Sequence, residues 1–387
     1  MIFTDFAPNE DRSDALKALS LCAEPQTWFS GSAHTQVAKN LATYFPDHQS
    51  TLFLTARAAL YSYLKALNLP AESDVLVTGF TCKAVIIPIK ELRLNPVFVD
   101  IDTQTYSMNP IELKKRLTSK SRLIILQHTF GIPPHRREII ELAAKHNIPV
   151  LEDIAHGFDE RLFKKDKHKT DKLLSFGRTK VLSSLFGGAI ATPNKHLHVA
   201  LQQIEANLTY PTRSFLLSCL MYKPLNLFMR NTYGMGFGKA AHHLTNIIRL
   251  FPKELSRPET ALKFDPYVLK KYPNALAVLL LHQMKKFEYM QSTRRRISSY
   301  YSAARGGAFN DLPLNRFPLL VNDCDTVRRR LMKKGIYLGR WYREVLPPKG
   351  ECPVTEHVSA HILNLPTLIS QNDAERVVNE IDLKNIS

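Results

Sequence analysis

The sequence predicts an α/β fold: a large domain with a mainly parallel sheet between helices, then a smaller C-terminal α/β domain. Three observations lead there. Short β-branched or apolar runs alternate with helix-length segments through the first half. Strands separated by helices require crossover connections, which make neighbouring strands parallel and cover both sheet faces. The same alternation resumes near the C-terminus behind a Pro-bounded segment, and 387 residues suffice for two cores.

The elements follow in order. Thr51–Leu54 is a short strand, and the small-residue turn after it opens a helix over Ala58–Leu67. Asp74–Thr78 is a β-branched strand, Val85–Leu92 has helical spacing, and Pro96–Val99 is a strand. A helix over Asn109–Leu117 carries Pro110 in its first turn, where no amide is needed. Leu123–Leu126 reads as a buried strand, Arg136–Lys145 as a helix and Pro149–Leu151 as a strand. Residues 160–172 read as a basic loop, 195–250 as apolar-rich helix and 252–266 as a linker. One long helix is expected over Asn274–Tyr301, then a strand (Phe317–Val321), a helix (Asp325–Lys334) and a strand after Gly335. The division is an arm over 1–30, the large domain over 31–250 and the smaller domain over 251–387.

Composition narrows the function. Hydrophobic content of 44% with 22% charged residues is that of a soluble globular protein. Five scattered cysteines lack CxxC spacing and read as reduced thiols of a cytoplasmic protein, with neither disulfide frame nor metal site. The N-terminus shows no basic-then-apolar leader. The net charge of +17 gathers at Lys164–Lys169, Arg294–Arg296 and Arg328–Lys334. A phosphorylated substrate, an anionic lipid surface or simply solvated helix faces all suit it. No zinc-finger, RNP or Gly-x-x-Gly motif accompanies the charge, so nucleic acid is not expected. The greasiest stretch, Phe215–Met229, is too short to span a bilayer and is interrupted by Lys223 and Pro224. It reads as a helix at a subunit interface, with peripheral membrane contact through 215–229 as the alternative.

In open α/β sheets, ligands collect at the C-terminal ends of the strands. Asp100, His128 and Asp153 fall at such ends. Asp153 closes Val150-Leu-Glu-Asp153, and downstream Lys180 sits in Ser175-Phe-Gly-Arg-Thr-Lys180, before Gly187-Gly188. A strand-end carboxylate and one lysine in a Ser/Gly segment are the minimum equipment for pyridoxal 5′-phosphate. The amine bonds the cofactor aldehyde, and the acid keeps the pyridine nitrogen protonated. Each also has a bland reading, Asp153 as a helix cap and Lys180 as a solvated lysine. His156 fits a contact to the ring hydroxyl or a satisfied buried polar role. The Leu54-Thr-Ala-Arg-Ala-Ala-Leu60 turn offers helix N-terminal amides to a phosphate, assisted by Thr55 and Arg57. No Gly-x-Gly-x-x-Gly or Walker lysine is present, which disfavours dinucleotide and NTP sites. Asp100-Ile-Asp102 matches the Asp-x-Asp of metal-dependent glycosyltransferases, although a strand terminus with a capped turn explains it too.

Taken in order, these segments resemble the DegT/DnrJ/EryC1/StrS family of sugar aminotransferases, from about Trp28 to Pro366. The matching motifs are Thr55-Ala-Arg-Ala-Ala-Leu60, Asp74 to Cys82, Asn95 to Asp102, His128-Thr-Phe-Gly131, Glu152-Asp-Ile-Ala-His156 and Ser175 to Lys180 with Gly187-Gly188. Gln283-Met-Lys-Lys-Phe, Gly335-Ile and Leu363-Asn-Leu-Pro-Thr367 continue them. The resemblance implies a fold-type-I, pyridoxal-phosphate-dependent homodimer that passes an amino group from glutamate to a nucleotide-linked keto sugar, for polysaccharide or glycoconjugate synthesis. It gives Lys180 the catalytic role, and Asp153 and His156 contacts to the ring. Ser175, Thr55, Ala56 and Arg57 hold the phosphate, and Phe80 and Cys82 border the ring. Having Lys180, the chain is not expected in the branch where histidine replaces it and dehydration results. Four departures touch the substrate side. Cys82 stands where an aromatic is usual, Leu185-Phe186 precede the glycine pair, lysines replace glycines before Ser175, and Leu269 stands for a partner-donated asparagine. They leave room for a family member that binds or regulates without catalysing.

Overall fold

A computed structural model describes residues 1–164, 168–304 and 307–381. Its strands, in chain order, are β1 (Ile2–Phe3), β2 (Gln49–Phe53), β3 (Asp74–Thr78), β4 (Asn95–Val99), β5 (Ser121–Gln127), β6 (Val150–Asp153), β7 (Asp171–Ser175), β8 (Gly188–Thr192), β9 (Arg316–Leu320), β10 (Ile336–Tyr337) and β11 (Ile362–Pro366). β2 to β8 form one seven-stranded sheet in the order β2-β8-β7-β6-β5-β3-β4. β3 to β7 run parallel, while β8 is antiparallel to both β7 and β2. Val75 to Val77, Leu123 to Leu126 and Leu151 are buried on both sheet faces under the crossover helices, which is why these strands are apolar throughout. β9 and β11 pair antiparallel in the smaller unit, and β1 pairs with β10, which ties the N-terminus to that unit.

The structure departs from the sequence reading in four places. The basic loop at 160–172 contains a helix (Glu160–Lys164) and the start of β7, where Lys172 is buried because it pairs with Glu152 at 2.9 Å. The remaining basic positions at 165 and 167 lie outside the described residues. The long helix breaks into Asn274–Met284 and Phe287–Ala303, and between them Lys286 pairs with Asp11 and Asp14. Leu276, Leu280, Phe287 and Met290 pack in the core of the large unit, among Leu41, Phe45 and Phe158. In the Arg294–Arg296 run only Arg296 is exposed to solvent. Arg294 is buried and donates to Asn9 Oδ1 at 2.6 Å, and Arg295 is bound to Asp159 and Glu160.

The 215–229 stretch lies within one helix, Arg213–Thr232. Leu216, Cys219, Leu220 and Tyr222 are buried in the main core, and Met229 is buried beside the next helix, where Thr245 Oγ1 meets its sulfur. Lys223, the charge that interrupts the stretch, is itself buried and pairs with Glu10 at 2.8 Å. One face of this helix is therefore an intramolecular core element, while Leu217 and Phe228 on it are exposed. No helix among the described residues is long and apolar enough to cross a membrane.

Candidate active site

The C-terminal ends of the parallel strands open onto a cavity of about 400 Å³. Thr55, Ala56, Arg57, Cys82, Asp153, His156, Ser175 and Lys180 all line it, so eight of the nine residues singled out from the sequence converge. Phe80 does not reach it. Its ring is buried one layer behind, against Phe130, Tyr106 and Tyr342. Cys82 takes the lining position instead.

One end of the cavity is a phosphate-sized cradle. β2 leads into Thr55, whose hydroxyl accepts the Ala58 amide and caps the Ala56–Leu67 helix. That helix aims its first-turn amides and its positive dipole end at the cavity. Gly188 makes the approach possible. A Cβ there would lie 2.4 Å from both Ala56 N and Ala56 Cα, so only glycine lets β8 run against this turn. Ser175 ends β7 beside it. Arg57 is held by Glu259, its Nε 2.6 Å from the carboxylate, so its side chain is anchored to the protein at this end. Its backbone amide in the first helical turn remains the simpler donor.

Asp153 is the last residue of β6, which runs two residues past the expected strand end at Leu151. Its Oδ1 accepts the Ala155 amide at 3.0 Å, and among the described residues no donor is recorded on Oδ2. Burial pushes this carboxyl upward, opposed by the Ala155 amide and by the Lys180 charge. A cationic ring nitrogen on Oδ2 would hold it ionised.

The preceding residue, Glu152, is fully buried on the other side of the strand. It accepts from His128 Nε2 (2.8 Å), Arg136 Nε (2.8 Å) and Nη2 (2.9 Å), Lys172 Nζ (2.9 Å) and the Thr170 hydroxyl. Burial disfavours its charge, yet these partners hold its carboxyl well below the usual range. The network fixes the strand end that presents Asp153. It also accounts for His128, which the sequence placed at the rim but which faces away from the cavity.

Lys180 projects from a loop held at several points. Phe176 N–H donates to Gly187 O at 2.9 Å and Ser184 N–H to Phe176 O at 3.0 Å, while Asn9 from the arm binds the Lys180 carbonyl. Its ammonium lies 4.9 Å over the Trp341 ring, which also meets the Arg316 guanidinium, 3.2 Å from the ring centroid. Among the described residues no carboxylate lies within ion-pair distance of Nζ. Burial pushes the amine down, toward its neutral form.

His156 has both ring nitrogens engaged. The Phe130 amide donates to Nδ1 at 3.1 Å, so the proton sits on Nε2 and is donated to Tyr342 Oη at 2.6 Å. Burial drives the imidazole well below its ordinary value, and it is neutral. Burial likewise holds Tyr342 well above the usual phenol range.

Sequence reasoning missed Trp341, Tyr342 and Glu254, which also line the cavity. The first two come from the smaller unit, just past the Gly335-Ile motif. An adjacent aromatic pair between Arg340 and Arg343 was the available signal. Glu254 lies in the expected linker, where its Oε1 accepts the Arg178 amide at 3.1 Å. The acids of Asp100-Ile-Asp102 are engaged structurally. Asp100 accepts the amides of Ile101, Val354 and Thr355, and Asp102 those of Gln104 and Thr105.

GDP-perosamine synthase of Escherichia coli O157:H7 is 29% identical over 178 residues, covering 44% of this chain and 48% of that protein. dTDP-4-amino-4,6-dideoxy-D-glucose transaminase of Shigella dysenteriae is 29% identical over 181 residues, covering 46% and 48%. The alignments span about half the length, or less, of the curated relatives matched. Among solved structures, S. venezuelae DesV with a ketimine intermediate superposes at a TM-score of 0.72, 17% identical, over 95% of this chain and 93% of that one. NtdA of Bacillus subtilis with bound PMP also reaches 0.72, 18% identical, over 98% and 84%. These likenesses show the fold, that of the fold-type-I aminotransferases. A profile of the DegT/DnrJ/EryC1/StrS aminotransferase family matches residues 9–208, and the chain belongs to that family.

Proposed function

We propose that this protein is a pyridoxal-phosphate-dependent aminotransferase that moves an amino group from glutamate to a keto sugar on a nucleotide carrier. The observation that carries the reading is one cavity lined by Lys180, Asp153, Ser175 and the N-terminal turn at Ala56. The residues fit the cofactor. The free oxygen of Asp153 suits a protonated ring nitrogen, and the Gly188 cradle with the Ala56 and Arg57 amides suits a phosphate. When bound, pyridoxal phosphate supplies an electron-accepting ring and an aldehyde carbon that bonds amines.

The chain's residues then have separable tasks. Asp153 keeps the proton on the ring nitrogen. Lys180, pushed toward neutrality by burial, takes up and returns the proton at Nζ. The neutral His156–Tyr342 pair, with a fixed tautomer, would border the ring of a bound cofactor. Trp341 and Tyr342 from the smaller unit supply aromatic walls to the cavity. Relatives named for GDP- and dTDP-linked sugars support a nucleotide-sugar substrate, for polysaccharide or glycoconjugate synthesis. A homodimer is the expected assembly, and five unpaired cysteines support a cytoplasmic location.

A second reading draws on Glu254 and Glu259, two acids beside the phosphate end. It makes the chain a binding or regulatory member. The test is a half-reaction: cofactor-loaded protein is given glutamate, then a panel of keto nucleotide sugars. The proposal expects 2-oxoglutarate followed by an amino sugar. Cofactor binding without any 2-oxoglutarate would leave the second reading standing.

A further inference from the structure

We propose that the Phe237–Ile247 helix is a docking surface for an anionic phospholipid bilayer. The inference goes beyond the reaction proposed above and does not depend on it. The helix is attached by one narrow face. A Cβ on Gly238 would lie 2.0 Å from Met229 O, Thr245 Oγ1 meets Met229 Sδ, and the His242 ring packs edge-on to Phe6 at 5.3 Å. Gly238 is the helix's one buried residue. The opposite face carries Phe237, Ala240, Leu244 and Ile247, continued by Ile248, at the three- and four-residue spacing that makes one stripe. Phe237 is 68% exposed, Leu244 56%, Ile247 63% and Ile248 57%, with Met235 beside them at 67%. Contiguous exposed apolar side chains of this size mark a surface that something covers.

Charge identifies the cover. From Ala206 to Lys253 the chain has no Asp or Glu, but six Lys or Arg. Lys223 is neutralised by Glu10, and Arg230 is tied to the carbonyls of Ala7 and Glu10. Arg213, Lys239, Arg249 and Lys253 are exposed, and Lys239 and Arg249 lie within or next to the striped helix. Two copies meeting across a two-fold axis would set these cations against their own kind. Anionic headgroups meet them with opposite charge, and the acyl boundary takes up the stripe. This places the contact on the helix after the greasy 215–229 stretch, where Leu216, Cys219, Leu220, Tyr222 and Met229 are buried.

The test is vesicle flotation of the full-length protein. It should float with phosphatidylcholine–phosphatidylglycerol vesicles at low salt, and much less with phosphatidylcholine alone. The Phe237→Ser/Leu244→Ser/Ile247→Ser variant should lose at least about tenfold in partitioning. Its melting temperature should be unchanged, because those side chains face solvent. Lys239→Gln/Arg249→Gln keeps the stripe and should lose on the order of tenfold at low salt only. Equal flotation of parent and triple variant, or no flotation of the parent, would overturn the proposal. So would sedimentation velocity showing a vesicle-free dimer that the triple variant breaks, since a second copy would then be the cover.

Discussion

Glu152→Gln is the sharpest probe of how the fold supports the site. The substitution keeps shape and removes one charge. In the native protein that charge answers Arg136 and Lys172, both at 2.8–2.9 Å, with His128 and Thr170 completing the shell. Glu152 is wholly buried, and Lys172 nearly so. Removing one member of a buried ion-pair network costs about 3–5 kcal/mol, because the remaining charges stay desolvated. For a chain this long, that is a fall of several degrees in melting temperature. A pH signature accompanies it. The folded pKa of Glu152 is depressed, so its stabilisation is full above the unfolded value of about 4.3 and is lost as pH falls through the folded value. The parent should therefore lose stability steeply below about pH 4.3, and the variant less steeply there. The assay is thermal melting of cofactor-free protein between neutral and acid pH, alongside cofactor titration, since a loosened β6 end misaims Asp153. A neutral-pH melting temperature equal to the parent's would refute the reasoning.

Three further outcomes are expected. Gly188→Ala drives a methyl into the Ala56 backbone at 2.4 Å, so it should cost about 1–3 kcal/mol and weaken phosphate and cofactor binding together in calorimetry. Tyr342→Phe removes the acceptor of the His156 Nε2–H, and should cost about 1–3 kcal/mol in a urea melt and alter the absorption spectrum of bound cofactor. Lys223→Met alone should destabilise by about 3–5 kcal/mol by stranding Glu10, and Glu10→Gln with Lys223→Met should recover much of it.

Much of the site was legible because its residues sit at strand ends, where local apolar runs fix position. The β3 bounds and those of the Arg136–Lys145 helix match the sequence reading residue for residue. The convergence of Thr55, Cys82, Asp153, Ser175 and Lys180 follows from the parallel order of strands that carry them. What stayed hidden depends on partners remote in sequence. Arg294 and Lys223 look like surface charges until Asn9 and Glu10 of the arm are folded onto them. Lys172 reads as part of a basic loop until Glu152 lies beside it. Periodicity also could not reveal that β8 runs antiparallel, because an apolar Gly-Ala-Ile-Ala strand carries no mark of direction. Phe80 is placed at the ring by its neighbourhood in sequence, but in the turn beyond β3 its side chain is buried among Tyr106, Phe130 and Tyr342.

The most direct test of the central claim is covalent mapping of the cofactor. Protein incubated with pyridoxal phosphate, reduced with borohydride and digested should carry the cofactor mass on the peptide containing Lys180, and on none in Lys180→Ala. An adduct on another lysine, or one that survives the Lys180→Ala change, would contradict the account.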